Sequence, residues 1–164
     1  MSDDNKAAIS TLNGLIETCK DGANGFRAAA EAVTHADAKA LFTSRIPVIE
    51  RAATELQAEV RRLGGDPETT GSVAATVHRG YIGLKAAITG KDEAAIITEC
   101  LRGEELAVKN YEDALEKPLP MESREIVVRH HRGTVQNLEK CRALAAAYQA
   151  SEPTVAPNPK TDPR

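Results

Sequence analysis

Three glutamates and one histidine could supply the ligands of a metal ion near the middle of a helical bundle. Glu17, Glu50, Glu104 and His131 each lie about four or five helical turns from the nearer of two short predicted loops, so a bundle would hold them at similar heights. Carboxylate oxygens and imidazole nitrogens are common ligands of iron and zinc. Glu104 and His131 flank the second loop at nearly equal distances, and we expect these two side chains to contact each other.

The segments that carry these residues have the spacing of helices. In the first segment the apolar positions step by three and four residues for about seven turns, a rhythm that strands do not produce. These positions are Ile9, Leu12, Ile16, Cys19, Ala23, Phe26, Ala30 and Val33. Similar series from Phe42, Ile97 and Val127 predict three more helices, each of the long ones holding roughly 26 to 30 residues. A shorter helix is predicted at about 72–89.

The lengths of the connections predict how the helices are arranged. The links around residues 34–37 and 117–120 are short, so each joins an antiparallel helix pair, whereas the long connection at 66–91 carries the short helix back along the bundle. This order predicts an all-α fold, a ferritin-like up-down-down-up four-helix bundle with a short crossover helix, over residues 1–150. The proline-rich, polar stretch at 151–164 is predicted to be a disordered tail.

Four strings in the chain resemble an uncharacterised bacterial family of four-helix-bundle proteins in the ferritin-like superfamily. They are TLNGLIETCKDGANGFRAAAEAV at 11–33, ELQAEVRRLGGDPETTGS at 55–72, HRGYIGLKAAITGKD at 78–92 and CLRGEELAVKNYEDAL at 100–115. Their glycine, charged and aromatic positions are not demanded by a generic bundle. The resemblance covers about residues 8–149. It implies the fold, but it implies no particular reaction.

The metal-binding motif of ferritin-like di-iron proteins is incomplete in this sequence. That motif uses one Glu from each of two helices and a Glu-x-x-His from each of the other two. Three residues after Glu50 the sequence has Ala53 instead of His, and three residues before His131 it has Val128 instead of Glu. The alternative is that Glu104 and His131 form a polar layer that fixes the register of the helices. We therefore expect no resident cofactor, with iron or zinc as the alternative.

Glycines in the middle of predicted helices suggest a need for space. Gly22, Gly25, Gly103 and Gly133 each cost about 1 kcal/mol relative to Ala in a helix. Either the helices approach closely there, or the bundle leaves room for a metal, water or a small ligand.

Composition limits the classes of partner. The net charge of −3 and an aromatic content of 3% do not suit the gripping of phosphates or the stacking of bases, so nucleic acid is not expected as a partner. Three cysteines without a CxxC pattern are typical of a reducing, cytoplasmic setting. No apolar run is long enough to predict membrane insertion, and the start MSDDNK has no signal-peptide pattern.

Three functions remain open from the sequence. The favoured one is a non-catalytic bundle that acts by protein association, with a stress response as the suggested setting. The first alternative is an iron- or zinc-binding oxidoreductase or iron-handling protein with a degenerate carboxylate and histidine site. The second is a bundle that binds a small molecule or lipid. The apolar stripe of the crossover helix needs something to cover it, and this predicts a homodimer.

Overall fold

Five helices make up the part of the chain that the computed structural model describes, residues 2–67 and 74–151, with backbone alone for 74–81. In chain order they are α1 (Asp3–Ala32), α2 (Ala36–Arg62), α3 (Ala74–Thr89), α4 (Glu93–Leu115) and α5 (Met121–Ser151). The four long helices hold 30, 27, 23 and 31 residues, so α4 is shorter than predicted. The predicted tail from 152 onward lies outside the described residues.

The order of the helices confirms the predicted ferritin-like bundle. Consecutive helices α1 and α2 pair with each other, as do α4 and α5, and the two pairs meet through α1 against α4 and α2 against α5. Helix α3 packs on α4 and α1. Helices α1 and α4 are antiparallel. Thr34, just after the end of α1, bonds to Glu93 at the start of α4, whereas Thr18 in the middle of α1 bonds to Asn110 in the second half of α4. The long helices are therefore up, down, down and up.

One carboxylate ties the first loop to the start of α4. Glu93 accepts hydrogen bonds from the backbone N–H groups of Thr34 and His35 and from the Thr34 hydroxyl. Burial acts to raise the pKa of Glu93, but these hydrogen bonds outweigh it and hold the pKa below its usual value. At the other hairpin, Arg124 donates to the carbonyl oxygens of Leu115 and Lys117. Both loops are thus closed by charged side chains that satisfy backbone groups at helix ends.

The core of the described residues consists mostly of aliphatic side chains, together with two phenylalanines, Tyr111 and three cysteines. Every predicted seam residue of α1 is buried except Ile9, which is partly buried, and the α2 seam is buried apart from Ile46. Each fully buried Leu, Ile or Phe stabilises the fold by roughly 1.5–3 kcal/mol. The rings of Phe26 and Phe42 lie 5.6 Å apart between α1 and α2. The exposed Pro47 does not end α2.

The series predicted for α4 and α5 are less well buried. In α4 the residues Leu101, Val108 and Leu115 are only partly buried, while Ile96 and Cys100 take core positions beside them. In α5, His131 lies at the edge of the core and its side chain is 26% exposed. Within the described part of the chain, no helix has both the length and the apolar character needed to cross a membrane.

The loop after α2 depends on two adjacent glycines. Gly64 has φ 90°, a left-handed conformation that glycine adopts without strain, as the sequence predicts for the end of this helix. A Cβ built on Gly65 would lie 2.7 Å from Ile9 Cδ1 and 2.8 Å from Ile9 Cγ2. The start of α1 therefore packs directly against the backbone of this loop.

Replacing Gly65 with Ala should destabilise the protein by about 1–3 kcal/mol, because the new methyl group overlaps Ile9. Urea unfolding of G65A, I9A and the double variant measures this, and the double variant should recover much of the loss caused by G65A. The matched control is G103A, whose Cβ would meet no atom within 4 Å and which should be neutral or stabilising. Additive losses in the double variant would contradict the proposed overlap.

Candidate functional site

A buried guanidinium and a buried carboxylate meet at the middle of the bundle. Arg45 Nε of α2 lies 3.2 Å from Glu104 Oε2 of α4, and the two side chains are 9% and 3% exposed. On α5, Asn137 Nδ2 donates to Glu104 Oε2 at 2.5 Å, and Thr134 Oγ1 accepts from Arg45 Nη2 at 3.2 Å. Side chains from three helices therefore form one polar cluster.

The protonation of Glu104 reflects two opposing effects. Burial raises the pKa of Glu104, and the nearby Arg45 and the hydrogen bond from Asn137 act to lower it. The net direction is upward, because removing the carboxylate from water costs more than these partners return. A buried pair of this kind adds little net stability, yet loss of one partner leaves an uncompensated buried charge.

A second polar group joins α2 to α5 beside the first. His130 Nε2 lies 2.7 Å from Glu55 Oε1, which also accepts a hydrogen bond from Arg129. Burial lowers the pKa of His130, so its imidazole is neutral at neutral pH. The His130 ring also packs edge-on against Tyr111, with centroids 6.2 Å apart.

The three cysteines are buried and protonated. Burial raises the pKa of Cys19 to about 11 and that of Cys141 to about 12, and it raises the pKa of Cys100 as well. Cys19 Sγ lies 3.3 Å from the Tyr111 hydroxyl. Since the thiolate is the reactive form, these residues are not activated nucleophiles.

The predicted contact between Glu104 and His131 is wrong. Glu104 forms an ion pair with Arg45 and accepts a hydrogen bond from Asn137, whereas His131 Nε2 lies 3.4 Å from Glu112 Oε1 near the surface. The histidine that faces the interior is His130, one position earlier and therefore about 100° around the helix.

The two other predicted ligands also lie apart from each other. Glu17 is buried on α1, with 6% exposure. Glu50 lies on the exposed face of α2, where Arg27 donates to it. Among the described residues no three His, Cys, Asp or Glu side chains converge as a metal site would require. The structure does not bring Glu17, Glu50, Glu104 and His131 together.

A di-iron centre of the ferritin-like type does not fit this set of residues. The mid-bundle position of α2 is filled by Arg45, and its guanidinium supplies positive charge beside Glu104, where such a centre would place a metal ion. On α5 the inward His130 is held by Glu55. The guanidinium already compensates the charge of the buried carboxylate and occupies the space beside it.

The inward face of α5 could have been found from spacing alone. Its members step by four and three residues, although four of them are polar: Ser123, Val127, His130, Thr134, Asn137, Cys141 and Leu144. A search for apolar residues alone misses Thr134 and Asn137, and it also misses Arg45 in α2. The missed signal is a regular helical series that includes polar residues.

A cavity of about 1360 Å³ lies beside the polar cluster. All four long helices line it, and Leu84 of α3 contributes as well. Buried apolar side chains on its wall include Leu15, Phe26, Ile49 and Leu84, and buried polar ones include Glu17, Arg45, Glu104 and Thr134. Exposed residues such as Leu106 also line it, so the cavity extends from the core to the surface.

The mid-helix glycines divide into two groups. A Cβ on Gly22 would lie 3.5 Å from Ile49, and one on Gly25 would lie 3.7 Å from Leu84, so each would make ordinary van der Waals contact with a neighbouring helix. A Cβ on Gly103 or Gly133 would meet no atom within 4 Å, and both glycines line the cavity. All four glycines line the cavity, and Gly103 and Gly133 are the two of them that face open space.

Replacing Arg45 with Met should destabilise the protein by about 3–5 kcal/mol at pH 7, because Glu104 would keep a buried charge without its partner. A carboxyl with a raised pKa binds more protons when folded, so stability falls as the pH rises above the unfolded value of 4.5. Urea unfolding should therefore find R45M less destabilised at pH 5 than at pH 7. In R45M/E104Q this extra pH dependence should vanish; an equal loss for R45M at both pH values would contradict the role of Glu104.

Comparisons with known proteins agree with the fold. A two-domain protein from Anabaena variabilis with DJ-1/ThiJ/PfpI-like and ferritin-like domains matches with a TM-score of 0.76 and 15% identity. That match covers 98% of this chain but only 42% of the other, so the chain spans less than half of that protein. A mutant of Mycobacterium smegmatis Dps1 matches with a TM-score of 0.71 and 13% identity, over 88% of this chain and 99% of that one. No curated protein matches by sequence.

The family itself follows from a match in sequence. Residues 7–117, more than half of the chain, match the model of one family. The chain therefore belongs to the family described as a domain of unknown function, DUF2383.

Proposed function

We propose that this ferritin-like bundle binds a small molecule in its mid-bundle cavity. The observation that carries the proposal is the cavity of about 1360 Å³ lined by all four long helices. Binding sites for small molecules are usually clefts of roughly 300–1,000 Å³ with mostly apolar walls and a few placed polar groups. The cavity is large enough for such a ligand and has both kinds of wall.

The residues around the opening of the cavity favour the binding of a ligand over close packing of the helices. Gly103 and Gly133 leave space that any larger residue would occupy, although glycine costs about 1 kcal/mol in a helix. Leu106 and Val48, at the edge of the cavity, are 52% and 41% exposed, so apolar surface remains available to a guest. A ligand would cover this surface and contribute the stability that an empty cavity forgoes.

Catalysis forms no part of the proposal. Burial keeps the thiols of Cys19 and Cys100 and the phenol of Tyr111 protonated, since it raises the pKa of each, and all three line the cavity. None of them is prepared to act as a nucleophile. The cavity is therefore suited to hold a molecule without altering it.

The other functions considered from the sequence stay predictions. Association with a second copy or with another protein, including a role in stress, is tested by light scattering of the purified chain at high micromolar concentration. Binding of iron or zinc is tested by metal analysis of protein purified without a chelator.

Filling the cavity should remove binding. Wild-type protein should bind the neutral fluorophore 1-aminoanthracene with an increase in its fluorescence, and G133L and A107L should weaken that binding by about tenfold or more, because both positions line the cavity. Thermal unfolding of G133L should show no loss of stability, since Leu is the better helix former.

The matched control is A146L, an exposed position on the same helix as Gly133 that does not line the cavity. It should bind the fluorophore as the wild type does. Failure of the wild type to bind, or equal binding by wild type and G133L, would overturn the proposed function.

A further inference from the structure

The guanidinium of Arg45 has hydrogen-bond donors that the protein does not use. A guanidinium carries five N–H groups. Within the described part of the chain, Arg45 makes one hydrogen bond, from Nη2 to Thr134, and its Nε faces Glu104 at 3.2 Å without hydrogen-bond alignment. Nη1 donates to no described residue. A side chain that is 9% exposed and lines the cavity thus holds unused donors there.

The atom that a ligand can reach is Nη1. In the described part of the chain, the side-chain nitrogens that are both closed to solvent and without a hydrogen-bond partner are Arg45 Nε and His130 Nδ1. Arg45 Nη1 also has no hydrogen-bond partner among the described residues, but this atom is not closed to solvent. The cavity that Arg45 lines therefore gives access to it. A donor that faces the cavity and has no acceptor in the described part of the protein favours a ligand that brings one.

The charges on the inner wall exclude an anionic acceptor. Glu104 already balances the charge of Arg45 at 3.2 Å, so the guanidinium offers no unpaired positive charge to an anion. The other basic residues that line the cavity are exposed: Arg27, Arg51, Arg102, Lys117 and Arg129. A carboxylate or phosphate inside would add like charge in a medium of low dielectric constant.

A cationic ligand is disfavoured for a different reason. The unused donors of Arg45 are N–H groups, which cannot bond to an ammonium group. Glu104 is engaged by Arg45 and Asn137, and Glu99 is engaged by Arg102 at 2.8 Å. A charged guest would also lose its hydration without a matching partner.

We propose that the cavity takes a neutral, largely apolar ligand whose carbonyl-type oxygen accepts a hydrogen bond from Arg45 Nη1. The inference rests on the proposed function and adds the chemical class of the ligand. The apolar body packs against Leu15, Phe26, Ile49 and Leu84, which are buried on the same wall. The oxygen is that of an amide, ketone, quinone or ester.

Four naphthalene probes with the same ring test the head group: 2-naphthamide, 2-naphthoate, 2-naphthylmethylammonium and 2-methylnaphthalene. Each is titrated against 1-aminoanthracene bound to the wild type at pH 7. The amide should bind most tightly, about tenfold more tightly than the carboxylate and several-fold more tightly than the methyl compound. Tightest binding of the carboxylate or of the ammonium compound overturns the proposal.

Two variants distinguish the effect of the Arg45 donors from the effect of the Glu104 charge. In R45M/E104Q the donors of Arg45 are gone and no lone charge is left behind, so the advantage of the amide over 2-methylnaphthalene should disappear. In E104Q the donors stay and one negative charge is removed, so 2-naphthoate should gain about tenfold relative to the wild type. Persistence of the amide advantage in the double variant, or no gain for naphthoate in E104Q, overturns the proposal.

The proposal and the proposed function fail in different ways. If 1-aminoanthracene binds and G133L abolishes that binding, but the head groups do not discriminate, the cavity is a binding site and only the ligand class is wrong. If the fluorophore does not bind the wild type, both are overturned. Thermal unfolding establishes that each variant is folded, and E104Q alone decides the proposal if the double variant does not fold.

Discussion

The pairing of Arg45 with Glu104 constrains the centre of this bundle. Separating a guanidinium from a carboxylate in the interior would leave an uncompensated charge, at a cost of several kcal/mol. Because Arg45 belongs to α2 and Glu104 to α4, the pair joins two helices that are not consecutive in the chain. Asn137 and Thr134 extend the cluster to α5. Three helices are thereby held in one register at mid-bundle.

The ends of the bundle are fixed by other interactions. Glu93 holds the loop between α1 and α2 against the start of α4, and Gly65 lets Ile9 approach the loop after α2. On the seam between α2 and α5, Glu59 accepts a hydrogen bond from Ser123 at 2.7 Å and Glu55 binds His130. Polar contacts at several heights therefore align helices whose apolar faces alone would tolerate sliding.

The cavity is a consequence of composition as much as of topology. Aromatic residues make up 3% of the chain, and few large side chains are available to fill the space between helices. Gly103 and Gly133 leave the wall open, while the buried polar cluster resists collapse because its groups must keep their partners. A bundle built in this way keeps an internal volume that a closely packed core would lack.

The sequence determined the helices, their order and the up-down-down-up arrangement. Those features follow from spacing within a segment and from loop length, both of which are local properties. The polar centre was decided by tertiary structure. His130 and His131 are adjacent in the sequence, and the rotation of α5 about its axis relative to α2 decides which of them faces the interior. The same rotation decides that Arg45, and not His131, lies beside Glu104. That rotation is set by the packing of all the long helices together, because each buried charge must find its partner across the bundle.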